Sequence, residues 1–328
     1  MGKRHALAIG LLGLILALGW LLARRSLDPD GRAVAVDSDA PRTGAVGGPA
    51  APATADPEPE PGPLRQDVVH EPEDVEIFRD VVRQAREERL DTLGIGDIIV
   101  RVGRRFVGEP YTPHTLDPPG PERLIVNLRE FDCVTYVESV LALARLIRDG
   151  YGDFADFTEE LRRIRYREGE IDGYPSRLHY FSEWIARNAE KGLVTDVTAD
   201  LGGVPDDEPI DFMSTHADAY PQLDGRPELI AEVRSMEQEL NGRTRTYIPQ
   251  AEIADVADRI RDGDIIAATS SVPGLDVAHT GFAIRIDGRL HLMHAPLVGR
   301  ELEISRDPLA VRILGIGGQD GIMVARPR

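Results

Sequence analysis

Three hydrophobic textures follow one another along this chain. From Ala6 to Ala23 the residues are apolar without a break, with Lys3 and Arg4 before the run and Arg24 and Arg25 after it. Such a run is about as short as a bilayer-spanning helix can be, and long for the apolar part of a signal peptide. A small-x-small cleavage site can be drawn at Ala17-Leu18-Gly19, yet the run continues through Trp20, Leu21 and Leu22. An uncleaved membrane anchor over residues 1–25 is preferred, a cleaved signal being the alternative. Either exports the rest of the chain to the periplasm or cell envelope. From Ser26 to His70 the apolar pattern disappears, and "GGPAAPATADPEPEPGPL" is rich in Pro, Ala and acids. A segment with so little to bury stays extended and unfolded, so residues 26–70 are read as a linker tethering a domain at 71–328.

In that domain the apolar residues first recur at helical spacing. Asp74 is expected to cap "VEIFRDVVRQAREERL", and "IGDIIVRVGRRFVG" to form a second helix ending near Gly108. Residues 109–126 form a proline-rich loop, and "CVTYVESVLALARLI" then resumes as a clear amphipathic helix. "FADFTEELRRI" and "SRLHYFSEWIARNAEKG" predict two more, and residues 200–250 read as helix and loop. After "IPQAEIADVADRI" the period shortens to two: "GDIIAATS", "VAHTGFAIRI", "RLHLMHAP" and "GIMVARPR" are strand-like runs broken by Gly and Pro. Helices first and a meander of strands last make an α+β fold.

Composition narrows the function. Of 328 residues 42% are hydrophobic, enough for a real core, and the formal charge of -18 argues against nucleic acid as a partner. No repeat suggests a solenoid. The chain has a single cysteine, Cys133, in a protein that looks built for export. There a lone thiol has no disulfide partner and is a liability unless it is useful.

The position of Cys133 suggests the use. Asp132 is a good N-cap, which puts Cys133 at the first helical residue. The helix dipole and free amide N–H groups at that point favour a thiolate, and the same groups, Val134 N–H among them, suit an oxyanion forming at an attacked carbonyl. A small buried apolar cysteine is the alternative. The partner for a nucleophile is found in "VAHTGFAIRIDGRLHLMHAP", a hairpin turning at Asp287-Gly288. Its register sets Gly281 opposite His294 and places His279 and His294 on one face as diagonal neighbours. A nucleophile, a base and a ring that orients the base are the parts of a catalytic triad.

In order along the chain, "FVGEPYT", "DCVTYVE", "DRIRDGDIIAAT" and "HTGFAIRIDGRLHLMHAP" resemble the NlpC-type cell-wall cysteine peptidases and amidases, a bacterial papain-like superfamily. The block "IRYREGEIDGYPSRLHYFSEWI" resembles its N-acetylmuramoyl-L-alanine amidase-like branch, and the likeness spans residues 73–328. The resemblance implies a helix-start nucleophile, Cys133, packed on a small antiparallel sheet, with His279 as general base and His294 orienting it. It places Tyr111 near the oxyanion site and implies no metal and no other cofactor. The helical insertion between Cys133 and the hairpin is where substrate selection is expected, through Arg177, His179, Tyr180 and Trp184. Arg177 would pair with a carboxylate and Trp184 would floor a sugar ring, or Tyr180 and Trp184 would simply pack into the core.

The implied reaction is hydrolysis of the amide between muramic acid and L-alanine in peptidoglycan or muropeptides. A stem-peptide endopeptidase and a non-catalytic binder of wall fragments remain open beside it. A zinc enzyme fits poorly, because His114, His179 and His216 are scattered and no HExxH pair occurs.

Overall fold

A computed structural model describes residues 62–297 and 301–328. The expected anchor and most of the linker lie outside the described residues. Among the described residues no helix is long and apolar enough to cross a membrane.

The chain enters along the domain surface earlier than the linker boundary at His70 predicts. Asp67 forms a paired contact with Arg162 at 2.9 Å, and Arg65 reaches Glu170 at 2.9 Å. Strand β1 (Val68–Val69) pairs in parallel with β2 (Leu124–Ile125), a pairing hidden from sequence because both strands are two residues long. Helix α1 (Pro72–Glu87) begins at Glu71, not Asp74. Asp74 sits one turn in, fully buried, and accepts from the N–H groups of Glu71 and Leu128 at 2.8 Å each. It therefore closes a capping box and also fixes the segment leading to Cys133.

Helix α2 (Ile95–Arg105) follows, then α3 (Cys133–Arg148) and α4 (Phe154–Arg165). The expected amphipathic character of α3 gives way to burial on nearly every side. Even Glu138 is 1% exposed; it is held by Arg165 Nε at 2.6 Å and Trp184 Nε1 at 3.2 Å. A charged residue on a central helix survives because its partner is buried with it. Helix α5 (Phe181–Glu190) starts later than the sequence suggests, "RLHY" being non-helical. Residues 194–249 contain strands β3 (Val194–Asp196), β4 (Val204–Pro205) and β5 (Thr246–Pro249) beside helices α6 (Phe212–Thr215) and α7 (Pro227–Asn241). The strands were not anticipated, since they are short and their pairing partners lie elsewhere in the chain.

A short helix α8 (Ile253–Val256) leads to β6 (Ile265–Ser270), β7 (Val277–Ile286), β8 (Arg289–His294), β9 (Glu303–Ile304), helix α9 (Leu309–Gly315) and β10 (Gln319–Pro327). Among the described residues the strands form an antiparallel sheet in the order β4-β5-β10-β6-β7-β8-β9, with β3 alongside β10. Period-two alternation divides it cleanly. Ile265, Ala267, Phe282 and Ile284 pack with Val137, Val140 and Leu141 of α3, while Ile266, Ala268 and Ala283 face Leu309 and Ile313 of α9. A third, smaller core joins Tyr174, Tyr180, Phe212, Met213 and Val233 in the insertion. One close approach requires glycine: a Cβ on Gly263, whose φ is +81°, would lie 2.5 Å from the Gly96 Cα. The mixed fold of helices on an antiparallel sheet thus agrees with the α+β expectation.

Candidate active site

Helix α3 packs against β7, and this contact brings Cys133 to His279. Both line a cavity of about 140 Å³, together with Val134, His179, Tyr180 and Asp276. The helix start is built as the sequence predicts: Asp132 Oδ1 accepts from Val134 N–H at 2.9 Å and Thr135 N–H at 2.8 Å. That cap changes two expectations. The Val134 N–H is already donated to Asp132, which leaves the Cys133 N–H as the helix-start amide free for an oxyanion. The thiol, moreover, is not depressed. Burial and then the Asp132 carboxylate push Cys133 up to about 12, against the pull of the Thr280, Cys133 and Val134 N–H groups. The residue that starts the helix supplies a negative charge beside the sulfur and, with burial, outweighs the dipole.

The two histidines meet as the hairpin register requires. Phe282 pairs with Met293 and Ile286 with Arg289 around Asp287-Gly288. His279 Nε2 lies 2.8 Å from His294 Nδ1, with the rings edge to face at 88°. A Cβ on Gly281 would come within 2.8 Å of His294 Cβ and 2.7 Å of Met293 O, so glycine is needed there. A bulge does occur in β7, but on its other edge: Ala268 pairs with His279 and Thr269 with Val277. Ala278 is thus the extra residue, and the β7–β8 register survives. His294 is fully buried, and its Nε2 lies 3.6 Å from Glu303 Oε1 on the neighbouring strand. Burial, then His294 and Arg312, hold His279 well below the usual imidazole range, so it is neutral. Tyr111 is half-buried beside Cys133, and burial, with Cys133 and Asp132, raises its phenol so that the hydroxyl keeps its proton.

Two of the four selection residues line the cavity and two do not. His179 Nε2 lies 2.9 Å from Tyr174 O. A carbonyl only accepts, so the proton is on Nε2 and Nδ1 is an acceptor. Burial and then Arg177 lower His179 to about 3, which keeps it neutral. Tyr180 presents its ring, while its hydroxyl is committed to Glu237 Oε1 at 2.8 Å. Arg177 is not available to a substrate: it is buried, bonded to Asp117 Oδ1 and Leu116 O, 3.5 Å from Glu122, and packed over the Tyr174 ring. Trp184 is fully buried, stacked on Phe181 at 4.8 Å, so it floors no sugar. Sequence reasoning missed Asp276, whose carboxylate is buried beside the cavity and accepts from Ser182 N–H at 2.7 Å. No motif marked it. Among the described residues no group of three or more His, Cys, Asp or Glu side chains is set to hold a metal ion.

The family model described as N-acetylmuramoyl-L-alanine amidase-like matches residues 101–313. None of the curated proteins matches the chain. Among solved structures, an N-acetylmuramoyl-L-alanine amidase from Bacteroides uniformis is 39% identical with a TM-score of 0.68, covering 71% of this chain and 99% of that one. A proposed xylanase from Bacteroides fragilis is 40% identical with a TM-score of 0.66, covering 69% and 99%. A Legionella pneumophila protein from a family of unknown function shares the fold at 21% identity and a TM-score of 0.56, covering 78% and 94%.

Proposed function

The chain belongs to the N-acetylmuramoyl-L-alanine amidase-like family, and from that premise we propose that it is a cysteine amidase cleaving the muramoyl–L-alanine bond of peptidoglycan or its fragments. The observation carrying this reading is the shared cavity of Cys133 and a neutral His279 whose far nitrogen is held by His294. A helix-start cysteine packed on an antiparallel sheet also supports a papain-like, NlpC-type core.

The proton moves first. His279 Nδ1, the nitrogen not engaged by His294, takes the Cys133 proton as the sulfur attacks the amide carbonyl. A thiol pushed up by burial needs this base at the moment of attack and does not rest as an ion pair. The Cys133 N–H and the Tyr111 hydroxyl stabilise the tetrahedral oxyanion. Its collapse breaks the C–N bond, and His279 gives its proton to the leaving amine. Water, deprotonated by the same ring, then attacks the thioester and frees the muramic carboxylic acid and the thiol.

The cavity favours this bond over one inside the stem peptide. Among the described residues its lining contains no Lys or Arg, and its polar groups include His179 Nδ1, the Tyr220 hydroxyl and the Asp276 carboxyl. A lactyl-sugar acyl group brings hydroxyl and amide N–H donors and no charge. A γ-linked glutamate would bring a free carboxylate to a wall whose described residues offer no cation to pair with it. A glycosidase would need two facing carboxylates, and among the described residues Asp276 is the one acid in the lining. The apolar N-terminal run and the linker would hold the domain in the cell envelope.

Acid-quenching a reaction of the full-length protein with muropeptides and weighing the intact chain tests the proposal. A muramoyl adduct on Cys133 is expected. A peptidyl adduct would move the reaction into the stem, and an adduct on a residue other than Cys133 would remove Cys133 as the nucleophile.

A further inference from the structure

His279 can act as base only in one of its two neutral forms, and its hydrogen bond to His294 admits both. If His279 donates from Nε2 to a bare Nδ1 of His294, its own Nδ1 is left open to take the thiol proton. If His294 donates instead, His279 must carry its proton on Nδ1 and the base is lost. The two nitrogens are 2.8 Å apart in either case, so this contact alone does not choose between them.

A charged group on the other side of His294 bears on the choice. The productive form needs a proton on His294 Nε2, and Glu303 Oε1 stands 3.6 Å from that atom. Glu303 is also the direct cross-strand partner of His294, so the hydrogen-bonded backbone of β8 and β9 holds the pair in place. A carboxylate accepts and does not donate, so it favours Nε2–H over a bare Nε2. At this distance the preference is electrostatic, and catalytic contacts of this kind commonly tighten when substrate binds. Arg312, the other charged group acting on His279, bears on whether the ring is charged and not on which nitrogen holds its proton. We infer that Glu303 is a positioning residue that, through His294, fixes His279 in the tautomer able to accept the Cys133 proton. The inference rests on the proposed Cys133–His279 pairing.

Two readouts test it without any substrate. Long-range nitrogen–proton correlation spectra of the ¹⁵N-histidine-labelled full-length protein report each ring's tautomer, assigned by loss of signals in His279→Ala and His294→Ala. The rate of Cys133 alkylation by iodoacetamide at neutral pH reports the base. The wild type is expected to show Nε2–H on both rings. In Glu303→Ala a population with Nδ1–H on His279 should emerge and alkylation should slow about two- to tenfold. Glu303→Asp should recover part of both. Unchanged tautomers and an unchanged rate in Glu303→Ala would overturn the role of Glu303 while leaving the triad intact. An alkylation rate that His279→Ala does not alter would overturn the Cys133–His279 pairing itself.

Discussion

His279 and His294 are joined ring to ring at 2.8 Å across a hairpin in which Gly281 faces His294. The glycine is what lets the imidazoles meet. In Gly281→Ala the new methyl would press on His294 Cβ and Met293 O, and displacement of the orienting ring should lower kcat/KM at least about tenfold. Because one of the atoms it presses on is a backbone oxygen, the methyl should also cost stability, read as an earlier urea midpoint. Full activity in this variant would mean that the contact does not matter to the base.

Asp132 both builds the helix start and burdens the Cys133 thiol. Asn caps about as well as Asp but carries no charge. Asp132→Asn should therefore keep thermal stability within about 0.5 kcal/mol, while the thiol, relieved of its second-largest upward influence, ionises at lower pH. The pH dependence of iodoacetamide alkylation reads this directly. In the wild type, alkylation should keep rising well above neutrality, because the thiol stands near 12.

The acid side of the activity profile follows from His279. In the proposed mechanism its neutral form is the base, and burial with His294 and Arg312 lowers its folded value. As pH falls through the ordinary imidazole value of about 6.5 the ring stays neutral, so the acid limb of kcat/KM should lie below that value. A limb at or above it would contradict the account of His279 as a desolvated base.

Arg177 is a structural residue in this protein. Arg177→Ala would leave Asp117 and Glu122 without their guanidinium and uncover the Tyr174 ring. Breaking a buried pair in this way typically costs about 3 to 5 kcal/mol, visible as an earlier urea midpoint. A variant of wild-type stability with a raised KM would instead return Arg177 to the substrate-binding role expected from sequence.

These cases show what the chain discloses locally and what it withholds. The Asp132 cap, the α3 start and the hairpin register at Asp287-Gly288 are short-range features, governed by neighbours a few residues away, and they lie where the pattern put them. Arg177 departs from its expected role and Trp184 takes the core alternative because their burial depends on Asp117, Glu122 and Glu138, partners far off in sequence. Asp276 and Glu303 escaped notice for the same reason: each matters through what another strand or helix brings beside it. The thiol was misjudged because a dipole argument considers the helix alone, whereas burial comes from everything packed around it.

The most direct measurement is mass spectrometry of a muropeptide digest incubated with the full-length protein or with Cys133→Ala. The account predicts release of an intact stem peptide beginning with L-alanine by the wild type and none by the variant. Cleavage within the stem, or the same products from Cys133→Ala, would contradict it.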